Sequence, residues 1–524
     1  MFRILVSDKM SGDGLKPLLD AENVEIVQQN VADVEEQLHT FDALLVRSAT
    51  KVTEELLSKM SQLKIVGRAG VGVDNIDIEA ATKHGVVVIN APNGNTISTA
   101  EHTFAMMASL VRHIPQANIS VKSREWNRSA FVGTELYGKS LGIVGFGRIG
   151  TEIANRARAF GMDVLVFDPF LTKERAIKMG VTVCTLDELL QTADIITVHT
   201  PLTKETKGIL NKETIAKTKK GIYLLNCARG GIIDEEGLIY HLENGHIAGV
   251  ALDVFEVEPP QSSKLLDFEQ VITTPHLGAS TKEAQLNVAA QVSEEVLLFL
   301  DGNPVTSSIN LPTLSKEVYE KIQPFHLLAK QMGNIVSQCM KEPVHDISID
   351  FEGSVTDLET SYITKSLITG FLRPRVDSTV NEVNAGIIAQ ERGISFGEKY
   401  IPNNSGYENC ITVKVSGDHS AFEIKGTYVP HYGQRIVALN GFDIDFYPVG
   451  HLLYIQHTDK PGVIGRVGQI LGEHGLNIAT MQVGRKNKGG EAIMMLSFDK
   501  QLEQASLNEL KNIQDIVSIH TIEL

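Results

Sequence analysis

The sequence predicts an α/β protein: two doubly wound units, then an α+β unit, then a βαββαβ unit of ferredoxin-like order. Three observations predict it. Short β-branched runs alternate with helical patterns from Phe2 to Leu300. A glycine-rich turn, Gly145-Phe146-Gly147-Arg148-Ile149-Gly150, joins the apolar run Ser140–Val144 to a helical pattern. From His451 onward the strand and helix signals follow the order βαββαβ.

Each element has its own signal. Phe2 to Val6, Val24 to Val27, Ala43 to Val46, Ile65 to Gly67 and Val86 to Ile89 read as strands, with a helix from Gly12 to Asp20. Their polar ends carry Arg47, Arg68 and Asn93, and ligands of such sheets bind beyond the carboxyl ends of strands. Two arginines at neighbouring strand ends suit a carboxylate or phosphate. Asn93-Gly94-Asn95 reads as a hinge and cap before a long apolar helix, Thr99 to Val111.

Behind the glycine-rich turn, the strand Asp163–Phe167 ends in Asp168, about twenty residues on, where a carboxylate can accept from a ribose diol. No arginine follows at once to neutralise a 2′-phosphate, so NAD is expected rather than NADP. Further strands lie at Ile195–Val198, Tyr223–Asn226, Ile247–Leu252 and Val271–Thr274, and a helix from Lys282 to Leu300 returns to the first unit. The α+β unit has helices near Ala329 to Met340, Ser361 to Phe371 and Asn381 to Glu391, with strands near Val344 to Phe351 and Cys410 to Val415. Asn440-Gly441 marks a hairpin. The expected boundaries are 1–97 with 283–311, 98–282, 312–448 and 450–524.

Length and composition agree with several domains: 524 residues, 43% hydrophobic and 21% charged. A net charge of −16 excludes nucleic acid as a general partner and requires local arginines to draw in any anionic substrate. The four cysteines, Cys184, Cys227, Cys339 and Cys410, show neither zinc spacing nor a disulfide framework, so no metal is expected. The apolar N-terminal run breaks at Asp8, and no run approaches a membrane span, which predicts a cytoplasmic protein without membrane contact.

Oxidation of a secondary alcohol by NAD needs a base for the hydroxyl proton, a cation for the substrate carboxylate and an acid to hold the base. Arg229, Glu258 and His276 each follow a predicted strand and fit those roles. His102, His199 and His241 are equally visible, and spacing alone does not choose among them.

Resemblance does. Gly145–Gly150 with Asp168, Asn226–Gly231, Ala251–Pro259 and Thr274–Ala279 resemble the D-isomer-specific 2-hydroxyacid dehydrogenases. The run Gly67–Asp77 and the last unit, which resembles an ACT domain, point to the long, phosphoglycerate-oxidising branch of that family. The resemblance implies two Rossmann-like domains, for substrate and NAD, an anion-binding intervening domain and an ACT regulatory domain. It implies NAD-linked oxidation of 3-phospho-D-glycerate to 3-phosphohydroxypyruvate, the first committed step of L-serine synthesis. It selects His276 as acid/base, Glu258 as its partner and Arg229 as carboxylate anchor. Val71, Gly145, Gly147, Arg148, Ile149, Gly150, Asp168, Thr200, Cys227, Asp253, His276 and Gly278 would form the NAD site. Arg47 and Arg68 would hold the phosphate, with Asn93 nearby, and Arg128 would reach a neighbouring subunit's substrate in a homodimer or homotetramer. In the ACT unit His457, Asp459 and Asn477 match positions that hold an L-serine effector.

Two rival readings are weighed against it. One is a glyoxylate or hydroxypyruvate reductase, normally without the C-terminal domains and the phosphate arginines. The other is a NAD-sensing, corepressor-like scaffold, which needs an exposed partner cleft and a disordered tail.

Overall fold

The computed structural model describes residues 1–377, 379–402 and 406–524. The first sheet has five parallel strands in the order Val24–Val27, Phe2–Val6, Ala43–Val46, Ile65–Arg68, Val87–Asn90. Alternate residues serve opposite faces. Ile4, Leu45 and Ile65 pack under Val288, Val292 and Val296 of the helix Lys282–Leu300. Leu5, Leu44 and Val66 face the other layer. The strand order reverses between Phe2–Val6 and Ala43–Val46, and Arg47 stands at that switch.

The second sheet has seven parallel strands: Val271–Thr273, Ile247–Leu252, Ile222–Asn226, Ile195–Val198, Ser140–Val144, Asp163–Phe167, Thr182–Val183. Its switch lies between Ile195–Val198 and Ser140–Val144, so the crevice there opens beside the glycine-rich turn. Helices Thr96–Val111 and Lys282–Leu300 connect the two units. At their starts the Ser98 and Thr281 hydroxyls meet at 2.7 Å. Gly94 is needed for close packing there, because a Cβ on it would stand 2.5 Å from Val288 Cγ1.

The third unit is a six-stranded mixed sheet, ordered Ser395–Ile401, Val344–Gly353, Asn409–Gly417, Ala421–Val429, Gly433–Leu439, Phe442–Phe446. Helices Lys316–Cys339 and Thr360–Leu372 cover it. The hairpin at Asn440-Gly441 has φ values of 48° and 74°, as a two-residue turn requires. Here the structure extends the expectation. The first helix begins at Lys316, not near Ala329; Pro324 inside it reads locally as a breaker. Strands Ser395–Ile401 and Ala421–Val429 went unpredicted because Glu398, Lys399, Glu423 and Lys425 dilute their apolar pattern. The helix expected from Asn381 starts at Ala385. Instead, the side chains of Asn381 and Asn384 donate to the carbonyls of Gly85 (2.7 Å) and Lys83 (3.4 Å) in the first unit. In the first unit itself, the helix expected over Gly12 to Asp20 shortens to Lys16–Leu19.

The last unit is an antiparallel sheet in the order Ile478–Arg485, Glu491–Phe498, His451–Thr458, Ile516–Glu523, with helices Val463–Glu473 and Gln504–Lys511. Leu453, Ile455, Met494 and Leu496 pack against those helices. On the opposite face Leu452, Tyr454, Ile493, Met495 and Ile522 join the apolar core of the third unit. The Gln338 side chain completes the join: it donates to the Glu523 carbonyl (2.8 Å) and accepts from its N–H (3.0 Å). Among the described residues no helix is long and apolar enough to cross a membrane.

Candidate active site

The glycine-rich turn divides its tasks. Gly145 has φ +94°, and a Cβ on it would stand 2.6 Å from the His199 carbonyl oxygen. A Cβ on Gly150 would stand 2.4 Å from the Gly145 carbonyl oxygen. Gly147 differs: a Cβ there would meet no atom within 4 Å. That open space lies at the N-terminus of the helix Arg148–Ala159, where unpaired N–H groups and the helix dipole suit a pyrophosphate. The Asp168 carboxylate is fixed beside the turn, accepting from Phe146 N (2.7 Å) and Phe170 N (2.8 Å) with lone pairs to spare. These features fit a dinucleotide.

A cleft of about 510 Å³ runs between the two parallel sheets. Of the residues assigned to the cofactor, Val71, Gly147, Arg148, Ile149, Thr200, Cys227, Asp253, His276 and Gly278 line it. Gly145 and Gly150 shape the turn, and Asp168 stands outside the lining. Asp253, 1% exposed, organises the wall. It accepts from Thr274 Oγ1 (2.6 Å), Leu277 N (2.7 Å) and Gly278 N (2.8 Å), with His102 Nε2 at 3.2 Å. Burial pushes its carboxyl up, but those donors outweigh burial and hold it below the ordinary value. The buried Cys227 thiol is pushed up to about 12, by burial first and then by Asp253. It fills the wall as a neutral group and is no nucleophile.

His276 follows this wall, with its backbone N–H on the Asp253 carbonyl (3.0 Å). Its φ is +56°, a left-handed conformation that a non-glycine residue holds only when its surroundings impose it. Nδ1 lies 2.8 Å from Glu258 Oε2, and Glu258 Oε1 accepts from Phe255 N at 3.1 Å. A carboxylate only accepts, so Nδ1 carries the proton and Nε2 keeps its lone pair for the cleft. The other visible histidines are occupied elsewhere. His102 bonds Thr274 and Asp253, and His241 Nε2 bonds the Lys212 carbonyl outside the cleft. His199 does line the cleft, but burial pushes it down to about 3, so it is neutral at physiological pH.

Arg68 lies close to both Arg229 and Arg47. Arg68 ends its strand with the guanidinium folded over Gly70, where a Cβ would stand only 1.6 Å from Nη1. Its Nε is enclosed and has no hydrogen-bond partner among the described residues. Burial, then neighbouring Arg229 and Arg47, push it down to about 10, partly opposed by Asp74 and Asp8, so it remains a cation at neutral pH. Arg229 lies over Gly72 in the same way. Arg47 is framed by Asp8, which accepts its backbone N–H at 2.6 Å, and its Nη1 donates to the Lys9 carbonyl at 3.3 Å. It faces an adjoining hollow with Lys9 and Lys282 rather than the cleft itself. Asn93 is exposed at the hinge, outside the cleft lining, where its carbonyl accepts from Thr96 N. Arg128 opens an exposed 3-10 turn, Arg128–Phe131. Within this one chain it is not brought into the cleft.

In the last unit His457 is 2% exposed, with Nδ1 donating to the Thr458 carbonyl and Nε2 enclosed without a partner among the described residues. Asp459 accepts from Arg485 Nη1 (3.0 Å) and Gly489 N (3.1 Å), and Asn477 donates to Asp499 (3.1 Å). Asp8 and Asp74 support the site without having been singled out from the sequence, and His102, visible there only as a rival to His276, supports it through Asp253. They act on other residues' side chains or loops, and nothing in their local sequence marks that.

Comparison with known proteins places this geometry in context. Residues 104–278 match the NAD-binding domain of the D-isomer-specific 2-hydroxyacid dehydrogenases. Residues 321–440 match the D-3-phosphoglycerate dehydrogenase intervening domain, and 451–515 match the ACT domain. The chain is 72% identical to a D-3-phosphoglycerate dehydrogenase of Bacillus subtilis over 524 residues, all of both chains. It is 43% identical to one of Synechocystis, covering all of this chain and 95% of that one. Among solved structures, a D-lactate dehydrogenase of Aquifex aeolicus complexed with NAD and lactic acid is similar at 33% identity. Its TM-score is 0.52, over 57% of this chain and 96% of that chain.

Proposed function

This chain belongs to the D-3-phosphoglycerate dehydrogenases, and on that premise we propose that it oxidises 3-phospho-D-glycerate to 3-phosphohydroxypyruvate with NAD, at the entry to L-serine synthesis. One observation supports it most: a histidine with a free Nε2, locked by Glu258, shares one cleft with Arg229, and Arg68, whose enclosed Nε has no partner among the described residues, stands close to Arg229.

Bound NAD supplies the hydride acceptor. The protein's own residues do the rest. Arg229 holds the substrate carboxylate and so fixes which face of the carbinol carbon is presented. His276 Nε2 takes the hydroxyl proton as the C–H bond breaks, and Glu258 stabilises the imidazolium that results. In reduction the same proton returns from Nε2. Arg68 and Arg47 take the phosphate end, local cations in a chain of net charge −16.

Self-association is part of this reading. Trp126 and Val132, which flank Arg128 closely in sequence, are 80% and 78% exposed, apolar surface that suits a second copy and would carry Arg128 toward a neighbour's substrate. The ACT unit, with His457, Asp459 and Asn477, takes L-serine as effector, and the enzyme works in the cytoplasm.

The test is a steady-state assay of NADH formation with 3-phosphoglycerate and with unphosphorylated glycerate, each with and without L-serine. Preference for the phosphorylated acid supports the reading. Equal or better use of glycerate returns the chain to the reductases.

A further inference from the structure

Arg229 does not stand alone in the cleft. Its Nε donates to Asp74 Oδ2 at 3.1 Å, and its Nη1 donates to the Ala228 carbonyl at 2.6 Å. Arg229 follows the strand Ile222–Asn226 of the second unit, whereas Asp74 lies in the loop after Ile65–Arg68 of the first. The bond therefore crosses the cleft between the two domains. Two bonds from two different nitrogens fix the plane of the guanidinium. Nη2 has no partner among the described residues. It stands where a Cβ on Gly72 would be, at 1.9 Å, and that Cβ would also lie 2.8 Å from Asp74 Oδ2. Gly72 thus makes room for both members of the pair, as Gly70 does for Arg68.

We propose that Asp74 is a positioning residue for carboxylate recognition: reaching across the cleft, it holds Arg229 so that the free Nη2 edge is presented to the substrate. This rests on the reading of Arg229 as carboxylate anchor. The Asp74 side chain is 69% exposed and that of Arg229 27%, and an exposed ion pair contributes little to stability. The effect of the contact is orientation, and it draws the substrate loop to the cofactor domain at the point where the anion is held. The opposite role, a rival carboxylate that substrate must displace, predicts the opposite sign on removal.

The experiment measures initial rates of NADH formation by the full-length enzyme, varying 3-phosphoglycerate at saturating NAD and then NAD at saturating 3-phosphoglycerate. Asp74→Ala is expected to raise the KM for 3-phosphoglycerate about tenfold, with the KM for NAD within about twofold. Asp74→Asn keeps an acceptor oxygen in the same place and recovers most of that loss. An unchanged or lowered KM for 3-phosphoglycerate, or an equal rise in both KM values, overturns the proposal. Should Asp74→Ala fold poorly, Asp74→Asn and Asp74→Ser are compared by the same split. Arg229→Ala is the control: if it leaves rate and KM untouched, the anchor reading itself falls and this inference with it. If it cripples the enzyme while Asp74→Ala does not, only the inference falls.

Discussion

His276 Nδ1 and Glu258 Oε2 lie 2.8 Å apart, although the two residues leave different strand ends and His276 must adopt φ +56° to bring them together. A strained backbone held by a buried wall, with a carboxylate fixing the ring, is a geometry suited to proton transfer. His276→Ala is expected to lower kcat by about 10² or more while NAD still binds. Unchanged turnover removes this imidazole from the chemistry.

Arg68 is a half-buried cation whose enclosed Nε has no protein partner among the described residues, beside two other guanidiniums. Such a group is costly unless an anion completes it. Arg68→Ala is expected to raise the KM for 3-phosphoglycerate by about tenfold or more, and that for hydroxypyruvate in the reverse reaction much less. Equal losses with both substrates reject the phosphate assignment.

Gly147 and Gly150 belong to one motif but face different things. Gly147→Ala projects into open space, so stability should stay within about 0.5 kcal/mol while the Kd for NAD rises roughly tenfold. Gly150→Ala drives a methyl against the Gly145 carbonyl oxygen and should cost about 1–3 kcal/mol of stability. Urea unfolding and NADH fluorescence titration separate the two. Identical profiles for both variants would contradict the division of tasks.

His199 gives the fold an acid weakness. Burial holds its ring down to about 3, against about 6.5 in an unfolded chain. Between those values the unfolded state binds more protons, so stability present above pH 6.5 is lost as pH falls. From pH 7 to pH 5 the loss from this ring alone is on the order of 1–2 kcal/mol. Replacing it with a neutral side chain, His199→Gln, should flatten that limb of the stability–pH curve. An unchanged slope would place the acid lability elsewhere.

Much of this molecule is legible along the chain, because its signals are local. The turn at Gly145–Gly150, the parallel strands and the βαββαβ order each depend on residues within a few positions of one another. Less legible were Ser395–Ile401 and Ala421–Val429, whose charged residues weaken the strand pattern, and the helix from Lys316, which carries Pro324.

The sequence by itself determined the doubly wound architecture, the NAD turn and, through resemblance, which histidine to watch. Tertiary structure alone decided that Nε2 of His276 is the ring nitrogen left free, that His199 is neutral, and that Arg229 is gripped by Asp74. It also decided that the third and fourth units share one core. The reason is distance. Periodicity and turn chemistry act over a few residues, whereas a proton's place and a guanidinium's direction depend on neighbours that lie far off in sequence and are gathered only by folding.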